Sequence, residues 1–143
     1  MGALTLAGKI YLDTVTIIYS VEKHVDFFPV LRPLWQSAKA GRLELITSEL
    51  SLLETLVLPL RQQDRLLIAA YEQLLMRSDV RLIPITPDLL RQATQLRADT
   101  NLKTPDSIHA ASALFAGCDQ FVTNDSAFKR VPKLNTVVLH ELP

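Results

Sequence analysis

The chain has 143 residues, and fifteen Lys plus Arg cancel fifteen Asp plus Glu, leaving no formal net charge. One domain usually takes about 150 residues, so a single domain spanning 1–143 is expected. A 48% hydrophobic share excludes the disordered and fibrous classes, and the charge balance excludes holding a polyanion through the field of the whole molecule.

Apolar runs of two characters alternate along the chain. Short runs rich in β-branched residues predict strands at Lys9–Leu12, Leu43–Thr47, Val80–Ile85, Gln120–Thr123 and Thr136–Leu139. Longer helical stretches lie between them. A helix is expected to start near Thr47 or Ser48 and to carry Glu54. Leu66, Ala69, Ala70, Gln73 and Leu74 follow the spacing of one apolar helix face, and Leu89, Ala93, Leu96 and Arg97 that of another. Thr86-Pro87 and Thr104-Pro105 each place a capping hydroxyl before a proline suited to a first helical turn. Strands alternating with helices predict an α/β fold: three α/β/α layers around a central, mainly parallel sheet of about five strands. In such sheets ligands bind outside the C-terminal strand ends, where the chain order reverses.

Cys118 is the only cysteine, which excludes an intrachain disulfide or a multi-cysteine zinc site and fits a reducing compartment. No basic residue precedes the short apolar run of MGALTLAG and no stretch reaches 18 apolar residues, so neither export nor a membrane span is expected. A cytoplasmic location follows as the expectation.

Four acids interrupt otherwise uncharged segments. Asp13 follows the first strand, Glu54 is the only charge from Leu50 to Leu60, Asp106 the only one from Thr104 to Cys118, and Asp125 follows the strand ending at Thr123. The apolar neighbours Leu50, Val57 and Leu58 suggest that Glu54 points inward. Each acid also has a structural reading: Asp13 and Asp125 as caps, Asp106 as a complement to its helix dipole, Glu54 in a Ser51-x-x-Glu54 capping box. Two carboxylates 4 Å apart repel by about 1 kcal/mol in water and about 4 kcal/mol at an effective dielectric of 20, so converging acids call for cations. No comparably isolated Lys or Arg supplies them. Oxygen-only ligation favours Mg²⁺ or Mn²⁺, and the chemistry such ions support is phosphodiester hydrolysis by metal-activated water.

At these residues the sequence resembles the PIN-domain nucleases, especially the small VapC-type toxins. The opening KIYLDTVTIIYSVE, the SELSLLET segment, TPDSIHAASALFAGCDQFVTND and the following Phe128 match in order and spacing. The resemblance implies that Asp13, Glu54, Asp106 and Asp125 form the catalytic, metal-holding cluster and that Thr123 supports it. It further implies one or two Mg²⁺ or Mn²⁺ ions, RNA as substrate, an antitoxin partner and homodimer assembly. One departure stands out. Val15 occupies a position that carries Asn or Ser in the family, and Thr14 or Thr16 is the available substitute.

Other residues carry weaker signals. His109, three residues after Asp106, invites a general-base role but reads better as an ordinary helix histidine. Glu49 reads as a solvated acid, and Trp35, near Phe27, Phe28 and Leu34, as core or dimer interface. Arg61, Arg65, Lys129, Arg130 and Lys133 read equally as rim cations for RNA or as solvated faces. Two competing functions stay open: a phosphoryl-accepting receiver domain, which Asp13 and Thr123 fit loosely, and a catalytically weak or inactive PIN-like interaction module, motivated by Val15.

Overall fold

The computed structural model describes residues 3–143. In chain order the elements are β1 (Gly8–Leu12), α1 (Thr14–Val21), α2 (Phe28–Lys39), β2 (Leu43–Ser48), α3 (Leu50–Gln62), α4 (Arg65–Arg77), β3 (Arg81–Ile83), α5 (Pro87–Thr100), α6 (Thr104–Ala116), β4 (Gln120–Thr123) and β5 (Thr136–Val138). Single 3-10 turns cover Ser126–Arg130 and Leu139–Glu141. The strands form one sheet in the order β3-β2-β1-β4-β5, and every pairing is parallel. The expected α/β class therefore holds, with a wholly parallel sheet. Receiver-type domains use the order 2-1-3-4-5, so the topology removes that alternative.

The sheet is covered on both faces, as an all-parallel sheet requires. Tyr11, Ile46, Ile83 and Phe121 point to one side and pack with Leu89 and Ala93 of α5 and the alanines of α6. Ile10, Leu12, Leu43, Leu45 and Val122 point to the other, against Ile17 of α1, Leu31 and Leu34 of α2, and Tyr71 and Leu75 of α4. The run of small residues in α6, with Ala110, Ala111 and Ala113 all buried, lets that helix lie close to the sheet.

Local sequence explains most element ends, and the structure corrects four expectations. Thr86 caps α5 through Leu89 N at 3.1 Å, as expected. Thr104 does not cap α6: Lys103 is the cap residue, and Ser107 N bonds to Lys103 O at 2.9 Å. The helix thus begins one residue early, with Thr104 already inside it. Thr47 and Ser48 belong to β2, and α3 starts only at Leu50. With Ser51 inside the helix, the capping-box reading of Glu54 falls away. Helix α4 forms where expected but turns its other side inward: Tyr71 and Leu75 are buried while Leu66 is 87% exposed. Its sequence RLLIAAYEQLLM is apolar nearly all round, so the bulky Tyr71 and Leu75 win the core over Ala69 and Ala70.

Candidate functional site

The sheet order reverses between β1 and β4, since β2 and β3 lie on one side of β1 while β4 and β5 lie on the other. Register sets Leu12 opposite Val122, and Asp13 N bonds to Val122 O at 3.3 Å. Asp13 and Thr123 therefore meet at the C-terminal edge of the sheet. The Thr123 hydroxyl donates to Asp13 Oδ2 at 2.5 Å, and Thr16 N donates to Oδ1 at 3.2 Å. Asp13 is thus also the cap of α1, as its structural reading proposed.

Glu54 comes from α3 and Asp106 from the first turn of α6. Asp125 follows β4 and caps the next turn through Ala127 N at 2.9 Å. All four acids line one pocket of about 460 Å³, together with Thr14, Val15, Ile18, Tyr19, His109, Asn124 and Phe128. A larger cavity of about 510 Å³ lies between α2, α4 and the start of β2, lined largely by Trp35, Leu43, Leu45 and Leu74. That one is lined by two acids, Glu44 and Asp79, beside Lys39, whereas the smaller pocket gathers four, so the smaller pocket is the candidate site.

Glu54 points inward for a reason other than the one expected. Val57 and Leu58 are 47% and 53% exposed, whereas Ser51, Thr55 and Pro59 are the buried residues of α3. The helix is inverted: much of its buried side is polar and its outer side is apolar. Thr14 donates its hydroxyl to Glu54 Oε1 at 2.6 Å, and His109 Nε2 lies 2.8 Å from the same oxygen. Thr14, rather than Val15, makes this polar contact to the acid, while Thr16 serves the Asp13 cap.

Environment separates the acids. Burial pushes the Asp13 carboxyl up to about 6 against the opposing hydrogen bond from Thr123. Burial also raises Asp106, and the neighbouring charge of Asp125 raises it further. Glu54 moves the other way: burial raises it, but hydrogen bonds from His109 and Thr14 outweigh that and hold it below the ordinary range. No lysine or arginine lines the pocket among the described residues; Lys103 and His109 lower the Asp106 carboxyl only against the larger opposing effects of burial and Asp125. Lys129 instead pairs with Glu141. Glu49 is exposed and accepts from Ile85 N at 3.1 Å, outside the pocket. The half-buried Trp35 bonds Ser20 at 2.7 Å and edges the other cavity.

The donor set suits a hard cation that keeps much of its water. Among the described residues no three His, Cys, Asp or Glu side chains stand close enough together to hold a metal ion between them. Mg²⁺ usually binds through one or two carboxylates and retains several waters, which such an open acidic pocket accommodates. The oxygens left uncommitted belong to Asp106 and to the second oxygens of Glu54 and Asp125.

Tyr19 and Asn124 also line the pocket, and Asn124 Nδ2 donates to the Tyr19 hydroxyl at 3.2 Å. Sequence reasoning missed both. The signal was present, because Val15, Ile18 and Tyr19 fall on one face of α1 at i, i+3 and i+4 behind Asp13.

The family model for the PIN domain matches residues 10–134. The chain belongs to that family. No curated protein matches this PIN-domain chain by sequence at a significant level. Solved structures match its fold. A chain of VapBC2 from Rickettsia felis, crystallised with a DNA fragment from their promoter, aligns with a TM-score of 0.65 at 20% identity, covering 89% of this chain and 96% of that one. A toxin-antitoxin complex from Klebsiella pneumoniae gives 0.57 at 21% identity, with 93% and 99% covered. Mycobacterium tuberculosis VapC20, described as a sarcin-ricin loop cleaving toxin, gives 0.63 at 22% identity, with 78% and 86% covered. At these identities the likeness is one of fold. No helix of the described residues is long and apolar enough to cross a membrane.

Proposed function

We propose that this PIN-domain chain is a divalent-metal-dependent endoribonuclease that acts as the toxin of a toxin-antitoxin pair. The observation that carries the reading is the meeting of Asp13, Glu54, Asp106 and Asp125, from four separate parts of the fold, around one pocket that no lysine or arginine lines. A bound Mg²⁺ or Mn²⁺ would supply an attacking water of lowered pKa and neutralise charge at the phosphate. The chain's own work is to aim the oxygens. Thr123 and Thr16 fix both oxygens of Asp13, Thr14 and His109 hold Glu54 ionised, and Asp106 and Asp125 leave oxygens free toward the pocket.

The fold likeness to a toxin described as cleaving the sarcin-ricin loop supports RNA as the polymer, and likeness to toxin-antitoxin complexes supports a protein partner. The inverted helix α3 fits that partner reading. Leu53, Val57 and Leu60 stand exposed along its outer side, with Leu66 at the start of α4, and contiguous exposed apolar surface of this kind marks an interaction site.

The test is cleavage of mixed RNAs by purified protein in Mg²⁺ or Mn²⁺, with and without EDTA, and by the Asp13→Asn variant. Cleavage that needs the ion and disappears in the variant is expected. Activity that survives EDTA or the substitution would refute the mechanism. Calorimetry with Mn²⁺ separates the competing reading, because an inactive interaction module built on this fold would bind no ion at the acids.

A further inference from the structure

His109 is 3% exposed, lies on α6 and touches three other elements. Its Nδ1 is 2.7 Å from the Tyr11 hydroxyl of β1, and its Nε2 is 2.8 Å from Glu54 Oε1 and 3.0 Å from Thr14 Oγ1. Proton accounting decides which nitrogen carries hydrogen. Thr14 has a single hydroxyl proton and gives it to Glu54 at 2.6 Å, so toward His109 its oxygen can only accept. An ionised carboxylate also only accepts. Both neighbours of Nε2 are therefore acceptors, and Nε2 carries the hydrogen.

The other side of the ring gives a consistent answer. Tyr11 is completely buried, and burial holds its phenol far above the ordinary range, so it keeps its proton. Its hydroxyl lies 2.7 Å from His109 Nδ1, and the side chains of Thr47 and Ser112 act on its oxygen as donors, which leaves Nδ1 to take its proton. The hydroxyl donates there, and Nδ1 is the acceptor. Tyr11 is itself fixed, its ring stacked 5.0 Å from Phe121 at an interplanar angle of 6° and edge-on to His109 at 5.9 Å.

We propose that Tyr11 locks His109 in its Nε2–H tautomer, and that His109 so locked is a positioning residue that aims Glu54 at the divalent ion. The histidine and Thr14 occupy Oε1 of Glu54, which leaves Oε2 without a hydrogen-bond partner among the described residues on an acid that lines the pocket. This inference rests on the metal-binding reading of the acids, although the tautomer itself does not. Outer-shell hydrogen bonds to ligating side chains are worth about 10–100-fold in metal affinity, which sets the expected size of the effect.

Two measurements test it. Long-range ¹H–¹⁵N correlation on the metal-free protein should report a protonated Nε2 and an unprotonated Nδ1, and Tyr11→Phe should release that fixed preference. A protonated Nδ1 with a bare Nε2 would overturn the proposal. The second measurement compares two amides by Mn²⁺ calorimetry, with thermal unfolding as the control for folding. His109→Gln keeps an N–H near the place of Nε2 and should bind Mn²⁺ much as the parent does. His109→Asn keeps only a partner for Tyr11 and should bind about 10–100-fold more weakly. Equal affinity in the two folded variants would refute the positioning role. If the parent itself binds no Mn²⁺, the metal reading of the acids fails along with the positioning role, while the nitrogen spectrum still decides the tautomer.

Discussion

Removing the first acid should make the metal-free protein more stable while abolishing its activity. Asp13 is 6% exposed, and burial lifts its carboxyl from 3.8 to about 6. Between those values the folded chain holds a proton that the unfolded chain has released, so stability is full below pH 4 and falls as the pH rises through 6. The loss approaches about 3 kcal/mol. Asp13→Asn escapes it, because the amide keeps an oxygen for Thr16 N. The variant forfeits the hydrogen bond that Oδ2 accepts from Thr123, a cost of about 1 kcal/mol. A net gain of about 2 kcal/mol at pH 8 remains, or about 7 °C in Tm for a domain of this size, and it should vanish or reverse at pH 4. The assay is urea and thermal unfolding of both proteins in EDTA at pH 4 and pH 8. Saturation with Mg²⁺ to 100 times its Kd should add about 2.7 kcal/mol to the parent and little to the variant, removing the gap. A variant no more stable than the parent at pH 8 in EDTA, or a difference that does not change with pH, would show that the buried charge costs the fold nothing.

Thr123→Val should push the Asp13 carboxyl above about 6, since the Thr123 hydroxyl is what opposes burial there, so the acid limb of the pH–rate profile should move to higher pH; an unmoved limb contradicts the assignment. Asp125→Asn should lower the pKa of Asp106, because the Asp125 charge is the largest cause of its rise after burial. Carboxyl ¹³C titration of the metal-free protein reads that shift directly. Phe128→Ala should cost about 3–5 kcal/mol in denaturant unfolding, given a side chain 1% exposed with its ring 4.5 Å from that of Phe121; a loss under 1 kcal/mol would mean the pocket floor is not packed as described. Thr14→Val should weaken Mn²⁺ binding about 10–100-fold, whereas Val15→Ser should change it little, because Thr14 already makes the polar contact to Glu54.

The parallel α/β architecture was legible because its strands read as short β-branched runs, and Asp13 and Asp125 could be set on one sheet edge because each follows a strand; the support of the site by Thr123 came only with the family resemblance. Helix faces were harder to read. In α4 the run RLLIAAYEQLLM offers apolar residues on every side, so periodicity alone chose Leu66, Ala69 and Ala70, which the fold leaves in solvent. Glu54 pointed inward as expected, yet the supporting neighbours Val57 and Leu58 face out. The better signal lay in Ser51 and Thr55: the Ser51 hydroxyl meets those of Thr47 and Thr14, and the Thr55 hydroxyl donates to the Ser51 carbonyl inside the fold. His109 was undervalued for a related reason. Its importance lies in Tyr11, a residue 98 positions away, and no local pattern connects the two.

The inversion of α3 ties the site to the surface. A helix that turns Ser51, Glu54 and Thr55 inward has given its buried side to hydrogen bonding, so its apolar residues have nowhere to go but out. Burying Leu53, Val57 and Leu60 would rotate Glu54 away from His109 and Thr14 and break the contacts that hold it ionised. Solvent exposure of the outer row is thus a consequence of placing the acid, and a protein bound over that row would favour the helix orientation that keeps Glu54 in the pocket. Covering the row and presenting the acid are then mechanically the same demand on one helix.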